Sequence, residues 1–288
     1  MMRTGKLRIL NWSQRHDWVL VFRRLLADKL NEDVITESRR INPLYPADDN
    51  FAWLNVAVAT VTNQCYEDIP ALLAKRLSAH YEFIVGFHGT RSDSAADFLN
   101  HGIWLSDISA QNQRAVEFFG DSEALQKAIL ELRQCRRHDD GKIFVALTKD
   151  ACLMDHPHYM YYGSEHIYAI SIRLGRTAEL GARGKPLIVE CLIPTKKLEA
   201  EADFWRGRSY AMLEDYFKRM LQPSKTRRVK PSCAIISNPI GAENILSVHE
   251  FTEIKRTFRS KNYSTGAFEE SVETVLRPLK IWAGKAKR

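Results

Sequence analysis

Residues 83–91, Phe-Ile-Val-Gly-Phe-His-Gly-Thr-Arg, constrain the folding of this chain most tightly. The apolar run reads as a strand and delivers a histidine, a glycine and a threonine at its end. Asp93 or Ser94 then caps a short helix whose apolar face is Ala95, Ala96, Phe98 and Leu99, closing on His101-Gly102-Ile103. Such an order suits the mouth of a cleft. Imidazole both donates and accepts hydrogen bonds, and glycine lets a ligand press against bare backbone because no Cβ blocks the approach.

The rest of the chain supplies a mixture of helices and strands. Residues 13–30 form an amphipathic helix on Trp18, Val21, Phe22, Leu25, Leu26 and Leu30. A loop follows at 42–50, with Pro43 and Pro46 among polar residues. The apolar stretch Phe51–Val61 comes next, and then a helix that starts at Asp68-Ile69-Pro70 and runs to about His80. Beyond the first strand, helices are expected at 107–119, 121–137, 164–174 and 202–221. Strands are expected at 142–148, 187–193, 233–237 and 244–249, and the tail from Phe268 is expected to be a helix.

This pattern gives an α+β fold, with a split antiparallel or mixed sheet and helices around it, rather than a doubly wound parallel one. Three regions are expected. Residues 1–80 form a helical N-terminal region, either a cap or a partner-binding element. Residues 81–250 form the main domain, with a helical insertion at 107–137. Residues 251–288 form a helical extension.

Composition narrows the class. The chain has 288 residues, of which 45% are hydrophobic and 27% charged, a globular balance. No apolar run approaches the length needed to span a bilayer. The basic start meets Asn11 too soon for a secretion signal. Cys65, Cys135, Cys152, Cys191 and Cys233 are scattered and never paired as Cys-x-x-Cys, which argues against a disulfide framework and a thiolate zinc site. A cytoplasmic protein with no metal is therefore expected. A net charge of +7 and a pI near 9.1 favour contact with polyanions. Neither a Gly-x-Gly-x-x-Gly fingerprint nor a Walker A motif is present.

His88-Gly89-Thr90 after a strand, with a helix closing on Gly102-Ile103, resembles the first motif of the ADP-ribosyltransferases. That superfamily includes the diphtheria-type toxins and the poly(ADP-ribose) polymerases. The resemblance covers residues 82–250 loosely and is sharp only in the first motif. It implies a split-sheet domain that takes NAD as substrate and transfers its ADP-ribose to a macromolecule. The basic charge makes a nucleic acid, RNA in particular, a reasonable acceptor. A toxin or an anti-phage effector is the implied setting. Ser-Thr-Ser is absent, which points away from the arginine-modifying branch and towards the histidine–tyrosine–glutamate type.

On that resemblance, His88 holds the adenosine ribose, the Gly89 backbone pairs with the nicotinamide carboxamide, and Thr90 steadies the turn, with Arg91 beside them at the NAD site. The second constellation is Tyr159-Met160-Tyr161-Tyr162-Gly163-Ser164-Glu165. Tyr162, or Tyr161 after it, supplies the rigid face for nicotinamide, and Ser164 joins the NAD-binding set. Two glutamates compete for the catalytic carboxylate. Glu165 also has a plain explanation as an acid in a helix's first turn. Glu190 interrupts an apolar strand, where an unpaired carboxylate is costly, and Glu243 is a weaker rival.

Asp155-His156-Pro157-His158 has the composition of a metal site without a third ligand nearby. The basic clusters 225–230 and 285–288 suit phosphates. They sustain a rival reading of a non-enzymatic, basic nucleic-acid-binding protein.

Overall fold

The structure is a computed structural model that describes residues 7–42, 51–135, 141–155, 157–221, 233–252 and 272–276. The chain opens with β1 (Ile9–Leu10) and the helices α1 (Arg15–Leu25), α2 (Glu32–Ile41), α3 (Ala52–Thr62) and α4 (Ile69–His80). Strand β2 (Phe83–Ser92) is followed by α5 (Ala95–His101), α6 (Ile108–Phe119) and α7 (Glu123–Cys135). Strand β3 (Ile143–Ala146) leads to α8 (Lys149–Met154), α9 (His158–Tyr162), α10 (Glu165–Arg173) and α11 (Thr177–Gly181). Then come β4 (Lys185–Pro194), α12 (Glu201–Leu221), β5 (Cys233–Ile236), β6 (Ile245–Phe251) and β7 (Val272–Leu276). The fold is mixed α+β. No helix among the described residues is long and apolar enough to cross a membrane.

The described residues fall into two compact units. One lies within Leu7–Ile84 and Pro194–Pro231, the other within Val85–Ile193 and Ser232–Arg288. The first is helical. Asp68 caps α4 by accepting from the Ala71 amide at 3.1 Å, and Pro70 sits in the first turn, where its missing N–H costs nothing. α12 packs along α4, and α1 touches both. Trp18, Phe22, Leu73, Leu77, Trp205 and Phe217 are buried here, each contributing about 1.5–3 kcal/mol on leaving water. Asp215 joins two helices by accepting from Arg15 at 2.6 Å and from Arg219 at 2.9 Å. From sequence, residues 202–221 were assigned to the main domain. Their apolar face is instead buried against α4.

The second unit is built on strands in the order β5-β3-β2-β4-β6-β7. β3 runs antiparallel to β2 and to β5, and β6 antiparallel to β4 and to β7. The path is continuous, β2 being hydrogen-bonded to a strand on each edge. Val85, Gly86 and Phe87 are buried in succession, so both faces of β2 are covered there. This is why its sequence is apolar without alternation. The helices expected at 107–119 and 121–137 are present as α6 and α7. They pack on α10 through Ala115, Phe119, Leu125, Ile129, Leu132, Ile167 and Ile170.

Two further departures from expectation stand out. Val272–Leu276 is a strand, not part of a helix: β7 pairs residue by residue with Phe251–Ser247. The β-branched Val272, Thr274 and Val275 suit that edge of the sheet. The helices α2, α8, α9 and α11 were not anticipated at all. The rest of the tail, the basic clusters at 225–230 and 285–288, and His156 lie outside the described residues.

Candidate functional site

A cleft of about 1320 Å³ in the mixed unit is lined by His88, Thr90, Arg91, Gly102, Trp104, Arg114, Tyr159, Tyr162, Ser164 and Glu165, among others. The volume exceeds the roughly 300–1,000 Å³ of ordinary small-molecule sites.

His88 lies on β2 with its Nδ1 3.0 Å from the carbonyl oxygen of Phe144, on the neighbouring strand β3. A carbonyl only accepts, so Nδ1 carries the hydrogen and Nε2 keeps its lone pair. Burial pushes the imidazole below its ordinary pKa, and the bond to Phe144 only partly opposes this. The ring is therefore neutral at pH 7 and offers an acceptor to the cleft. Thr90, two residues on, lines the same cleft, as the alternation of a strand requires. Gly89 between them is buried; a Cβ built there would rest on Met160 and Cys152.

Arg91 lines the cleft, but its guanidinium is already engaged. It donates to the carbonyls of Arg183 at 2.5 Å, Met160 at 3.2 Å and Gly181 at 2.6 Å. These bonds tie the end of β2 to the segments around α9 and α11. Arg91 thus forms part of the cleft wall with its guanidinium bonded to three backbone carbonyls.

The helix closing on Gly102-Ile103 serves as a clamp. Ile103 exchanges two backbone hydrogen bonds with Ile240, at 2.8 and 2.9 Å. Gly102 has φ +80°, and a Cβ there would overlap the Ile240 carbonyl oxygen. Only glycine combines that dihedral with that approach. Past the clamp, Ser106 bonds the Lys142 carbonyl at 3.3 Å and the Gly141 amide at 2.8 Å. Asp107 caps α6 by accepting from Ser109 at 2.8 Å and Ala110 at 3.1 Å.

The tyrosine-rich segment supplies the opposite side. Tyr159 donates its hydroxyl to Glu165 Oε2 at 3.0 Å, and both residues line the cleft. Ser164 caps α10 by accepting from the Ile167 amide at 3.3 Å, while its own hydroxyl donates to Gln111. Its hydrogen-bonding capacity is thus largely spent within the protein. Tyr162 lines the cleft and stacks one face on Tyr168, 4.2 Å between centroids and 4° from parallel. Tyr161 is not among the lining residues, so of the two tyrosines the cleft receives Tyr162.

Glu190 is not among the lining residues either. It sits on β4 beside a bulge, opposite Ser247 on β6. Ser247 donates to its Oε2 at 2.9 Å, and the Nε2 of His249 lies 3.7 Å from that oxygen and 3.0 Å from the Ser247 hydroxyl. The nearby His249 imidazole is the main cause that holds the Glu190 carboxyl below its usual range, with the Ser247 hydroxyl adding to it. Glu190 therefore solves the problem of a carboxylate in an apolar strand by local pairing, and of the two glutamates it is Glu165 that lines the cleft. Glu243 accepts from Asn244 at 3.2 Å and does not reach the cleft.

Among the lining residues that sequence reasoning missed are Trp104, Arg114 and Arg183. Trp104 is 71% exposed. Arg114 is exposed and has no hydrogen-bond or ion-pair partner among the described residues. Arg183 lays its guanidinium 4.5 Å above the Phe118 ring and donates to the Phe118 carbonyl. Trp104 stands two positions beyond the Gly102 clamp, the one local signal that could have marked it. Among the described residues no three His, Cys, Asp or Glu side chains gather as metal ligands would.

No protein-family model matches the chain, and no curated protein matches it at a significant level.

Proposed function

We propose that the protein is an ADP-ribosyltransferase that binds NAD in the His88 cleft and passes its ADP-ribose to a macromolecular acceptor. The observation that carries this reading is the sharing of one cleft by His88, with its Nε2 lone pair open, and Glu165, held by a phenol. His88 accepts a hydrogen bond from the adenosine ribose, with Thr90 beside it on the same wall of the cleft. Tyr162, stacked on Tyr168, supplies the aromatic surface at the cleft for the nicotinamide ring.

Glu165 is the carboxylate for the nicotinamide ribose. The bond from ribose C1′ to the ring nitrogen breaks, and nicotinamide leaves with the electron pair. Positive charge grows on the sugar, where a fixed carboxylate stabilises it without reorganising at the moment of reaction. The acceptor then bonds to C1′ and gives its proton to Glu165 or to water. Tyr159 fixes the orientation of the carboxylate through its hydroxyl. The scattered cysteines favour a cytoplasmic setting for this reaction.

Incubation of the protein with NAD labelled in its adenylate phosphate, in cell extract, tests the reading. Label transferred to a macromolecule together with free nicotinamide is expected, and His88→Ala abolishes both. Absence of both from the wild-type protein discards the reading.

A further inference from the structure

We infer that Trp104 is a stacking platform for an unpaired base, so that the acceptor is a single-stranded nucleic acid. The inference rests on the transferase reading for the chemistry done to the strand, but the binding it describes needs no NAD.

Trp12, Trp18 and Trp205 are buried, whereas Trp104 is 71% exposed. An indole left in water forgoes a large apolar gain. It does not sit on a loose loop. Ile103 beside it is buried and doubly bonded to Ile240, and Ser106 is bonded to Lys142 and Gly141. A flat aromatic face on a fixed segment is what base stacking needs, because little freedom is lost on binding. Cations for the strand's phosphates lie on the same lining: Lys142 from the segment before β3, and Arg114, exposed on α6. Two of the four lining carboxylates are already engaged, Asp107 as the cap of α6 and Glu165 with Tyr159, while Asp93 and Asp97 flank the start of α5. Across the whole chain a net charge of +7 favours a polyanion. A base stacked on the rim would bring its strand to the cleft in which Glu165 acts.

The test is fluorescence anisotropy with labelled oligonucleotides of about 12 nucleotides: RNA, DNA of the same sequence, and the matching duplex. In parallel, nicotinamide release from NAD is followed without acceptor. Wild-type protein is expected to bind single strands more tightly than duplex. Trp104→Ala weakens that binding about tenfold and Trp104→Phe restores most of it. Comparison of RNA with DNA shows which sugar is preferred. Failure of the wild type to bind single strands, equal binding of the duplex, or unaltered binding by Trp104→Ala overturns the inference. Absence of nicotinamide release overturns the transferase reading instead, and leaves the anisotropy result to judge Trp104.

Discussion

At the scale of single residues, the tautomer of His88 decides what the cleft can hold. Its Nδ1 hydrogen is committed to Phe144, so the ligand meets a lone pair on Nε2. Burial lowers the pKa of this imidazole. The folded protein therefore resists a proton that the unfolded chain takes up below about pH 6.5. Stability contributed by neutral His88 is present above that value and declines as pH falls through it. NAD affinity should accordingly hold steady from about pH 8 to pH 6.5 and weaken only on further acidification. Equilibrium binding across that range checks this, and affinity that strengthens in acid would contradict it. Gly102 is the second decisive residue. Gly102→Ala places a Cβ on the Ile240 carbonyl at φ +80°, and should cost about 2 kcal/mol or more. Denaturant unfolding measures it; a loss under about 0.5 kcal/mol, ordinary for a surface change, would show that the clamp is soft.

Elements explain why one glutamate faces the cleft and the other does not. Glu165 opens α10 directly after the Gly163 turn, beside Tyr159 on α9, while Glu190 is fixed in the ladder between β4 and β6. Glu165→Gln should lower NAD turnover about a hundredfold or more with the fold intact. Glu190→Ala should leave turnover alone and lower stability by about 1–2 kcal/mol, the worth of its lost hydrogen bonds. Because the pKa of Glu190 is depressed, its contribution is present above the ordinary carboxylate range near pH 4.3. It disappears as pH falls through the lower folded value, so the deficit of Glu190→Ala should shrink in acid. Nicotinamide assays and unfolding curves on the two variants separate the roles, and a catalytic loss confined to Glu190→Ala would reverse them.

Much at this scale was legible in sequence because it is local chemistry. Asp68, Ser94 and Ser164 each accept from the amide three residues on, as their positions before apolar periodic runs suggested. Helices α8, α9 and α11 were not legible. They span six residues or fewer, less than two turns, too short for a periodic face to emerge. The cap of α8 is Thr148, which the strand composition of 142–148 had absorbed.

For the whole molecule, the obstacle was distance along the chain. Nothing local in residues 201–221 says that they pack on α4, or that Val272–Leu276 adds a strand to β6. Such pairings are decided by tertiary burial, which overrides local pattern. The cleft shows the same division. His88 and Thr90 were readable because they share a strand with a marked sequence. Trp104, Arg114 and the bonds of Arg91 emerge only once α6, α9 and α11 are folded around β2. The fold thus converts a short motif and a distant tyrosine-rich segment into one lined space.

The measurement that tests the central claim most directly is nicotinamide release from NAD by the purified protein, compared with His88→Ala and Glu165→Gln. Release by the wild type, lost in both variants while their unfolding curves stay close to its own, is the predicted result. No release by the wild type, or equal release by Glu165→Gln, would contradict the account.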